Sequence, residues 1–354
     1  MSTIKPLIYD LSYEALESWM SSMGQPTFRA RQIWVALYQN YKNAPEKITT
    51  LPKDFRETLK QSFDFQGLIP IRSMKSADGR TIKVLFELRD KETIEVVLMY
   101  YEDRRTLCIS SQSGCGIGCS FCATGQMGFK RNLSIGEIVE QVLYFAGYLD
   151  EQEDKVTNVV MMGMGEPFQN YDNVLAAMER LNDSDAFGLG ARRITISTVG
   201  IIPKIIAFAN EGLQYNLAIS LHTVDDKLRT ELIPINKKYS VDDLIAACRY
   251  YVKQTSRRVT FEVALIKGVN DSVKDAEALA SKIGGMICHV NLIPLNPTKG
   301  YAYEGSDPDQ VALFSKVLTD RNISCTVRMR RGIEIKAGCG QLATQYNERS
   351  HNGK

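Results

Sequence analysis

Three cysteines in a short glycine-rich loop constrain this chain more than any other feature. They are separated by three and then two residues in Cys115-Gly-Ile-Gly-Cys119-Ser-Phe-Cys122, which follows an apolar segment at 106–110 and precedes an amphipathic one at 135–149. Glycine tolerates the backbone angles of a tightly wrapped loop, and thiolates are soft ligands that suit iron–sulfur clusters or zinc. The loop therefore predicts a compact inorganic group held just after a strand.

The number of ligands separates the two candidate groups. A closed zinc site needs four protein ligands, but this loop supplies three, and Cys108 lies further back in the preceding strand. A cluster bound by four thiolates would need a distant cysteine. A cubane cluster with one iron left open to a non-protein ligand fits three local cysteines better, and zinc remains the weaker alternative.

The composition is that of an ordinary globular protein, with 44% hydrophobic and 24% charged residues in a chain of 354. No apolar segment reaches membrane-spanning length, and the N-terminal residues lack the apolar core of a signal peptide. We therefore expect a cytoplasmic protein without a membrane anchor. Its eight cysteines are expected to be reduced, and to serve metal binding or catalysis rather than a disulfide framework.

Basic residues form local clusters although the net charge is only +2. The clusters are Arg104-Arg105, Lys130-Arg131, Arg192-Arg193, Lys237-Lys238, Arg257-Arg258 and Arg328-Met-Arg330-Arg331. A single pair of this kind is usually solvated surface. Several of them at strand ends could together contact phosphates, so charge alone leaves nucleic-acid binding open.

The hydrophobic pattern predicts three regions and a short tail. Residues 1–65 are expected to form a small helical accessory domain, whose basic residues could face nucleic acid or solvent. Residues 66–101 are expected to form a β extension that includes a hairpin at Asp78-Gly79. Strands and helices alternate over residues 102–342, the expected catalytic domain, and residues 343–354 form a C-terminal tail.

The alternating region predicts a barrel, or part of one. Repeated β–α units imply parallel strands, and a parallel strand covered on both faces is apolar throughout. Here polar residues alternate with apolar ones, as Asn216, Ser220 and His222 do with Leu217 and Leu221. Such strands have an apolar outer face under helices and a polar inner face around a ligand-filled space, which favours a barrel over a flat doubly wound sheet.

Polar residues at the ends of these strands would ring the mouth of the barrel, where chemistry in β/α barrels takes place. They are Gly165 and Glu166 in a glycine turn, Ser197, Ser220, His222 and Asn296. Each alone is typical of a cap or a turn. The glycine turn also lacks the third glycine of a dinucleotide-binding motif, because Phe168 stands in its place.

Cys339 lies between glycines in Ala337-Gly-Cys-Gly-Gln-Leu342, and neighbouring basic residues supply positive charge. Those residues are Arg328, Arg330, Arg331 and Lys336. Thiols in such surroundings are reactive. Glu95 stands in an apolar strand and indicates little by itself, whereas the remaining cysteines lie in apolar segments and are assigned to packing: Cys248, Cys288 and Cys325.

The cysteine spacing resembles that of the radical S-adenosylmethionine enzymes, and the whole chain is similar to the adenine-C2 methyltransferases of 23S ribosomal RNA and transfer RNA. The motifs that carry this resemblance, apart from the cysteine loop, are Phe28-Arg-Ala-Arg-Gln-Ile-Trp34, Ser110-Ser-Gln-Ser-Gly-Cys115, Gly128-Phe-Lys-Arg-Asn-Leu133, Met162-Gly-Met-Gly-Glu-Pro167, Ile196-Ser-Thr-Val-Gly200, Ile219-Ser-Leu-His222, Gly268-Val-Asn-Asp271 and Ala337-Gly-Cys-Gly-Gln-Leu342. It implies an α/β fold with a partial (β/α)6 barrel, the small N-terminal helical domain and the short β extension.

The resemblance also implies the cofactors. Cys115, Cys119 and Cys122 would hold a [4Fe-4S] cluster whose open iron binds S-adenosylmethionine, and two molecules of S-adenosylmethionine would be used in each turnover. The positions that match the contacts of that cofactor are Gly165, Glu166, Ser197, Ser220, Leu221, His222 and Asn296.

A methyl relay through Cys339 is implied as well. Cys339 would take a methyl group from one S-adenosylmethionine, and a 5′-deoxyadenosyl radical from the second would remove hydrogen from that methyl group. The carbon radical would then add to C2 of adenine. Cys108 matches the thiol that releases the product through a transient disulfide with Cys339, and Glu95 matches a proposed proton acceptor.

The implied substrates are an adenine in the peptidyl-transferase centre of 23S ribosomal RNA and the adenine 3′ to the anticodon in some transfer RNAs. We expect a monomer that takes electrons from an external flavodoxin-like donor. Two alternatives stay open. One is the paralogue that methylates C8 of the same ribosomal adenine, and the other is an RNA-binding protein that zinc or a cluster merely stabilises.

Overall fold

Three helices form the N-terminal region: α1 (Tyr13–Ser22), α2 (Phe28–Tyr38) and α3 (Lys53–Ser62). The computed structural model describes residues 5–298, 301–328 and 331–343. The Ser12 side chain accepts a hydrogen bond from the Ala15 amide and so caps the start of α1. Apolar side chains of these helices belong to one buried cluster that continues into the barrel. The helices therefore pack on the barrel, and their boundary as a domain stays a prediction.

Three antiparallel strands form the extension: β1 (Leu68–Lys75), β2 (Thr81–Leu88) and β3 (Thr93–Tyr100). Gly79 has φ +69 in the turn between the first two, which confirms the predicted hairpin. The third strand pairs antiparallel with β4 (Arg105–Cys108), the first strand of the barrel. The extension is thus continuous with the barrel sheet, which has ten strands among the described residues.

Strands and helices alternate after β4. They are β5 (Gln112–Gly114), α4 (Ala123–Gln126), β6 (Phe129–Asn132), α5 (Ile135–Asp150), β7 (Asn158–Met161), α6 (Tyr171–Asn182), β8 (Ile194–Thr198), α7 (Ile202–Asn210), β9 (Asn216–Ser220), α8 (Asp226–Leu232), α9 (Val241–Thr255), β10 (Val259–Leu265), α10 (Val273–Ile283), β11 (Cys288–Pro294), α11 (Pro308–Asp320) and β12 (Cys325–Val327). In this described part of the chain, none of the helices is long and apolar enough to cross a membrane.

The barrel strands run parallel in the order β4-β7-β8-β9-β10-β11-β12. Six of them lead into helices, which confirms the predicted partial (β/α)6 barrel, and β12 adds a short seventh strand. The longest parallel pairing places Glu262 beside Asn291 and Leu265 beside Pro294. Carboxyl ends of the strands therefore gather at one end of the barrel.

The predicted alternation along the strands is confirmed. Polar residues of neighbouring strands face the interior, where Ser220 and Glu262 line one cavity, and His289 and Asn291 line a second. Their apolar neighbours, such as Phe261, are fully buried in the core beneath the helices. The barrel thus encloses a polar space that hydrogen-bonding ligands can enter.

Candidate active site

A small hairpin presents the cysteine loop at the end of the first barrel strand. Strands β5 and β6 pair on either side of the loop, and the Cys115 amide donates to the Gly128 carbonyl at 3.0 Å. Gly114 has φ +70, and a Cβ there would lie 1.9 Å from the Gly128 carbonyl oxygen. Only glycine fits this crossing, so the hairpin closes the base of the loop.

The three thiols of the loop line one cavity. Burial raises the pKa of Cys115 to about 12, and burial also raises the pKa values of Cys119 and Cys122. A bound cation would displace these protons, since metal ions bind the thiolate form. Burial thus disfavours free thiolates in this loop, and the thiolate form is expected only when a cation is bound.

Across the described ranges, no set of three His, Cys, Asp or Glu side chains is placed to hold a single metal ion. The three loop thiols nevertheless line one cavity. Three local thiolates are too few for a closed zinc site, which takes four protein ligands, and they suit a [4Fe-4S] cluster whose fourth iron is left to another ligand.

Polar residues from several strand ends face the cysteines across the same cavity. The predicted residues that line it are Gly165 and Glu166 after β7, Ser197 on β8, Ser220 and His222 at the end of β9, and Asn296 after β11. The structure thus brings together at one barrel mouth residues that lie more than a hundred positions apart. Leu221 does not line this cavity, because its side chain is fully buried in the core.

Glu166 shapes one edge of this cavity. Its carboxylate accepts hydrogen bonds from the Phe168 amide and the Val199 amide, both at 2.9 Å. Its own amide donates to the Gln112 side chain at 2.9 Å. Burial raises the pKa of Glu166 to about 7. The carboxylate thus joins the turn after β7 to the end of β8.

Gly165 makes the same turn possible. It has φ +100, and a Cβ there would lie 2.6 Å from the Gln112 side chain. The backbone of the turn can therefore pass close to the β5 strand only without a side chain.

His222 is a neutral hydrogen-bond donor in the cavity wall. Its Nδ1 accepts from the Ala264 amide at 2.9 Å, so the ring proton lies on Nε2. Burial lowers the pKa of His222 to about 3, and the Phe121 ring makes an edge contact at 4.9 Å between centroids. The imidazole is thus held in one tautomer.

Asn296 connects the cavity to the segment that carries Cys339. Its Nδ2 donates to the Cys339 carbonyl at 3.2 Å, and a Cβ on Gly338 would lie 2.6 Å from that nitrogen. Its Oδ1 is buried and has no partner within the described residues. A buried acceptor of this kind is satisfied when a ligand supplies a donor, which fits the amino and hydroxyl groups of S-adenosylmethionine.

Cys339 lies beside the cluster loop. The carbonyl of Gly340 accepts from the Ala123 amide at 2.7 Å, and the carbonyl of Leu342 accepts from the Thr124 hydroxyl at 2.6 Å. Cys339 lines the cavity of the three cysteines and also a second cavity. The thiol therefore has access to both spaces.

Arg328 and Cys108 accompany Cys339 in the second cavity. The Arg328 Nη1 lies 3.6 Å from the Cys339 sulfur. Burial, and then the charge of Cys339, raise the pKa of Cys108 to about 12. Both thiols are free, so their predicted pairing as a transient disulfide stays a prediction. Arg330, also expected near Cys339, lies outside the described residues.

Glu95 is the one predicted catalytic residue that the structure does not bring to this group. It lies on β3, where its carboxylate pairs with Lys83 at 2.8 Å and accepts from the Ala343 amide at 3.0 Å. It lines a different cavity, together with Lys83 and Lys336. Burial raises the pKa of Glu95, and Lys83 opposes that effect. Its role as a proton acceptor stays a prediction.

Arg229 is an organising residue that sequence reasoning missed. It lies on α8, is 1% exposed, and donates to the carbonyls of Leu221 and Val199 at 3.1 and 2.7 Å. It thereby holds the turns after β8 and β9. An arginine in a short polar helix is typical of a solvated surface, so its pattern in the sequence gives no signal of burial.

An open β/α barrel that carries three cysteines in the loop after its first strand defines a radical S-adenosylmethionine enzyme. Residues 109–280 match the model of the Radical SAM superfamily, and residues 8–64 match that of the ribosomal RNA large subunit methyltransferase N-terminal domain. The chain belongs to the RlmN family of dual-specificity RNA methyltransferases, as its relatives indicate. The predicted family is thus confirmed, and it implies a [4Fe-4S] cluster and S-adenosylmethionine.

Two kinds of relative carry this assignment. Probable dual-specificity RNA methyltransferases RlmN of Bacillus thuringiensis and Bacillus anthracis are 46% identical over 342 residues, which cover 97% of this chain and 94% of each relative. The crystal structure of a radical SAM methyltransferase from Sphaerobacter thermophilus superposes with a TM-score of 0.93 at 47% identity, covering 95% of this chain and 99% of the other.

Proposed function

We propose that the protein methylates C2 of a specific adenine in the peptidyl-transferase centre of 23S ribosomal RNA and of the adenine 3′ to the anticodon in transfer RNAs. The observation that carries the proposal is the position of Cys339, which lines both the cavity of the three loop cysteines and the cavity of Cys108. A methyl relay needs a thiol with access to both spaces. Membership of the family supports the same reaction.

The reaction needs radical chemistry because C2 of adenine is an electron-poor carbon and not a nucleophile. Bound cluster and S-adenosylmethionine supply that chemistry, with one molecule giving the methyl group and a second giving the 5′-deoxyadenosyl radical. Cys115, Cys119 and Cys122 hold the cluster. The turn at Gly165 and Glu166 and the side chains opposite it hold S-adenosylmethionine: Ser197, Ser220, His222 and Asn296, with Leu221 contributing through its position in the β9 turn.

Cys339 acts first as a nucleophile and then as a carrier. Arg328, whose Nη1 lies 3.6 Å from its sulfur, places a positive charge beside the atom that takes the methyl group. The methyl carbon, once activated, would bond to C2 and join RNA to enzyme, after which the unpaired electron and the C2 proton have to leave the adduct. Cys108 would then attack the Cys339 sulfur, and the bond from sulfur to the transferred carbon would break with its electron pair staying on the carbon, which takes up a proton to become the methyl group. The disulfide formed between Cys108 and Cys339 is reopened by an external two-electron reductant.

A basic cavity supports RNA as the substrate. It reaches from Arg328 and Glu262 inside the barrel to the amino ends of the strands. The arginines that line it there are Arg104, Arg192, Arg257, Arg258 and Arg331. Such a lining binds RNA phosphates favourably, because each phosphate that an arginine neutralises releases its bound counterions. We assign RNA contacts to this cavity and to residues 1–65, which we propose form an accessory domain. The rest of the chain then divides into the extension (66–101), the catalytic region (102–342) and the tail from 343.

The test is RNA methylation by the enzyme with its cluster reconstituted under anaerobic conditions and a flavodoxin-type or chemical electron donor. Fragments of 23S ribosomal RNA and transfer RNA are digested to nucleosides and analysed by mass spectrometry. We expect 2-methyladenosine in both RNAs, and none with Cys339→Ala. 8-Methyladenosine would replace the proposal with the C8 reaction, and unmodified RNA with a cluster-loaded, S-adenosylmethionine-cleaving enzyme would refute it.

A further inference from the structure

One buried ion pair holds both ends of the segment that carries Cys339. Lys83 on β2 and Glu95 on β3 lie 2.8 Å apart, and the side chain of each is 4% exposed. The Lys83 Nζ donates to the Lys336 carbonyl at 3.0 Å. The Glu95 Oε2 accepts from the Ala343 amide at 3.0 Å.

The register of the extension creates this arrangement. Lys83 is opposite Val97, and Glu95 is opposite Leu85, so the two side chains are diagonal neighbours on the same face of the β2–β3 ladder. That face meets the segment 336–343. Hydrogen bonds to charged groups are shorter and stronger than neutral ones, and here one such bond lies on each side of Cys339.

We propose that Lys83 and Glu95 act as positioning residues that clamp the segment 336–343 and fix Cys339 between its two cavities. Contacts on the other side of the segment come from α4, directly after the cluster loop, through Ala123 and Thr124. Without the clamp the segment keeps those contacts and loses both anchors on the extension. The catalytic consequence rests on the proposed function, whereas the clamp itself does not.

The energetics favour a positioning role over simple stabilisation. Removing two charges from water costs several kcal/mol, so a buried ion pair is weak evidence for stability, and an apolar pair of similar size is often as stable. Retaining the charges has a use where they fix one geometry. Here the geometry that they fix is that of the backbone on both sides of Cys339.

The first experiment needs no catalysis. Lys83→Met with Glu95→Leu removes both anchors and leaves no unpaired buried charge. In the cluster-loaded protein we measure alkylation of Cys339 by iodoacetamide and amide exchange of the peptide 331–343. We expect Cys339 to react at least tenfold faster, because tenfold corresponds to the loss of about one charge-assisted hydrogen bond and the double variant loses two.

The matched control is the ion pair Lys91–Glu87 of the same hairpin, which joins β2 to the β2–β3 turn and lies at the surface, with its lysine 77% exposed. Lys91→Met with Glu87→Leu is expected to leave Cys339 alkylation unchanged. Cluster content and melting temperature check that each variant is folded. Ala343→Pro removes the amide that Glu95 binds and leaves the ion pair intact, so it tests the same contact if the double variant loses its cluster.

The second experiment separates the clamp from a proton acceptor. Because Lys83→Met would misposition Cys339, we expect this variant to methylate Cys339 more slowly. We also expect it to form more 5′-deoxyadenosine for each RNA molecule methylated. A proton acceptor acts only after the carbon is joined to RNA. Glu95→Leu would then methylate Cys339 at the normal rate.

Normal alkylation of Cys339 in both the double variant and Ala343→Pro, with the cluster intact, overturns the clamp. So does normal Cys339 methylation in Glu95→Leu. If the wild-type enzyme methylates no RNA, the proposed function fails, and the alkylation rates still decide whether the clamp exists.

Discussion

The cluster loop and the Cys339 segment are built in opposite ways. The cluster loop places its three cysteines within eight consecutive residues, and a local hairpin closes its base. The Cys339 segment takes its anchors from β2 and β3, from α4 and from the turn after β11. A metal group can be held by local geometry, whereas a carrier thiol has to be positioned against distant parts of the fold.

This difference also separates the chemistry of the thiols. The cluster cysteines line one cavity together. Cys339 lines two cavities and has a guanidinium at 3.6 Å. The first group is suited to hold a cofactor without moving, and the second to exchange carbon between partners.

The largest effect is expected at the cluster loop. Cys115→Ala should remove one cluster ligand and abolish both the broad visible absorption of the cluster and the cleavage of S-adenosylmethionine, because the cluster no longer assembles. Cys288→Ala, at a cysteine that lines neither cavity, is the control and should retain both. Iron and sulfide analysis checks the result. A Cys115→Ala enzyme with a full cluster would contradict the assignment of the ligands.

A different outcome is expected when Cys108, the thiol proposed to release the product, is removed. Cys108→Ala should still methylate Cys339 and still join it to RNA, because Cys108 acts only at release. Denaturing gels should then show a stable protein–RNA adduct, which nuclease treatment shortens. The double variant Cys108→Ala with Cys339→Ala serves as the control and should show none. Multiple turnovers by Cys108→Ala would remove Cys108 from the mechanism.

A smaller effect is expected at Arg328. Arg328→Gln should slow methylation of Cys339 about tenfold, because one charge-assisted contact to the thiolate is worth about 1.4 kcal/mol. Single-turnover transfer from labelled S-adenosylmethionine measures the rate, and Arg328→Lys should recover part of it by keeping the charge. Equal rates in wild type and Arg328→Gln would show that the guanidinium does not activate the thiol.

The smallest effect concerns the contact between α5 and the start of the extension, and it is an effect on stability. Glu140 on α5 accepts from the amides of Gly67 and Leu68, and burial raises its pKa to about 8. A carboxyl whose pKa is raised in the folded state stabilises the fold at low pH, and that contribution is lost as pH rises from about 4.5 to about 8.

Residue 140 does not titrate in Glu140→Gln, so the free energy of unfolding of this variant should increase relative to that of wild type as pH rises. Between pH 6 and pH 8 the gain should reach about 2 kcal/mol, because the slope of about 1.4 kcal/mol for each pH unit decreases as pH approaches the folded-state pKa of about 8. Chemical unfolding at the two pH values measures it. A difference between the two proteins that stays constant with pH would show that Glu140 has an ordinary pKa.

The parts of the fold that depend on local patterns could be predicted from the sequence. The hairpin at Gly79 and the alternating barrel strands are confirmed, and the sequence pattern Ser134-Ile-Gly-Glu137 forms a capping box at the start of α5. The cysteine loop could be recognised for the same reason, since its spacing and its glycines lie in one short stretch.

The remaining features depend on contacts between distant residues. Lys83 and Glu95 are charged residues inside apolar strands, and nothing near them in sequence indicates that they meet a segment more than 240 positions away. Arg229 looks like a surface residue until the turns after two strands close over it. Such positions become visible only when the chain is folded.

The most direct test of the account follows the methyl group on Cys339. The enzyme is incubated with S-adenosylmethionine that carries a trideuterated methyl group, and the peptide containing Cys339 is analysed by mass spectrometry before and after addition of RNA. The account predicts a labelled methyl group on Cys339 that disappears as labelled adenine forms in the RNA. Labelled RNA from an enzyme whose Cys339 is never methylated would contradict it.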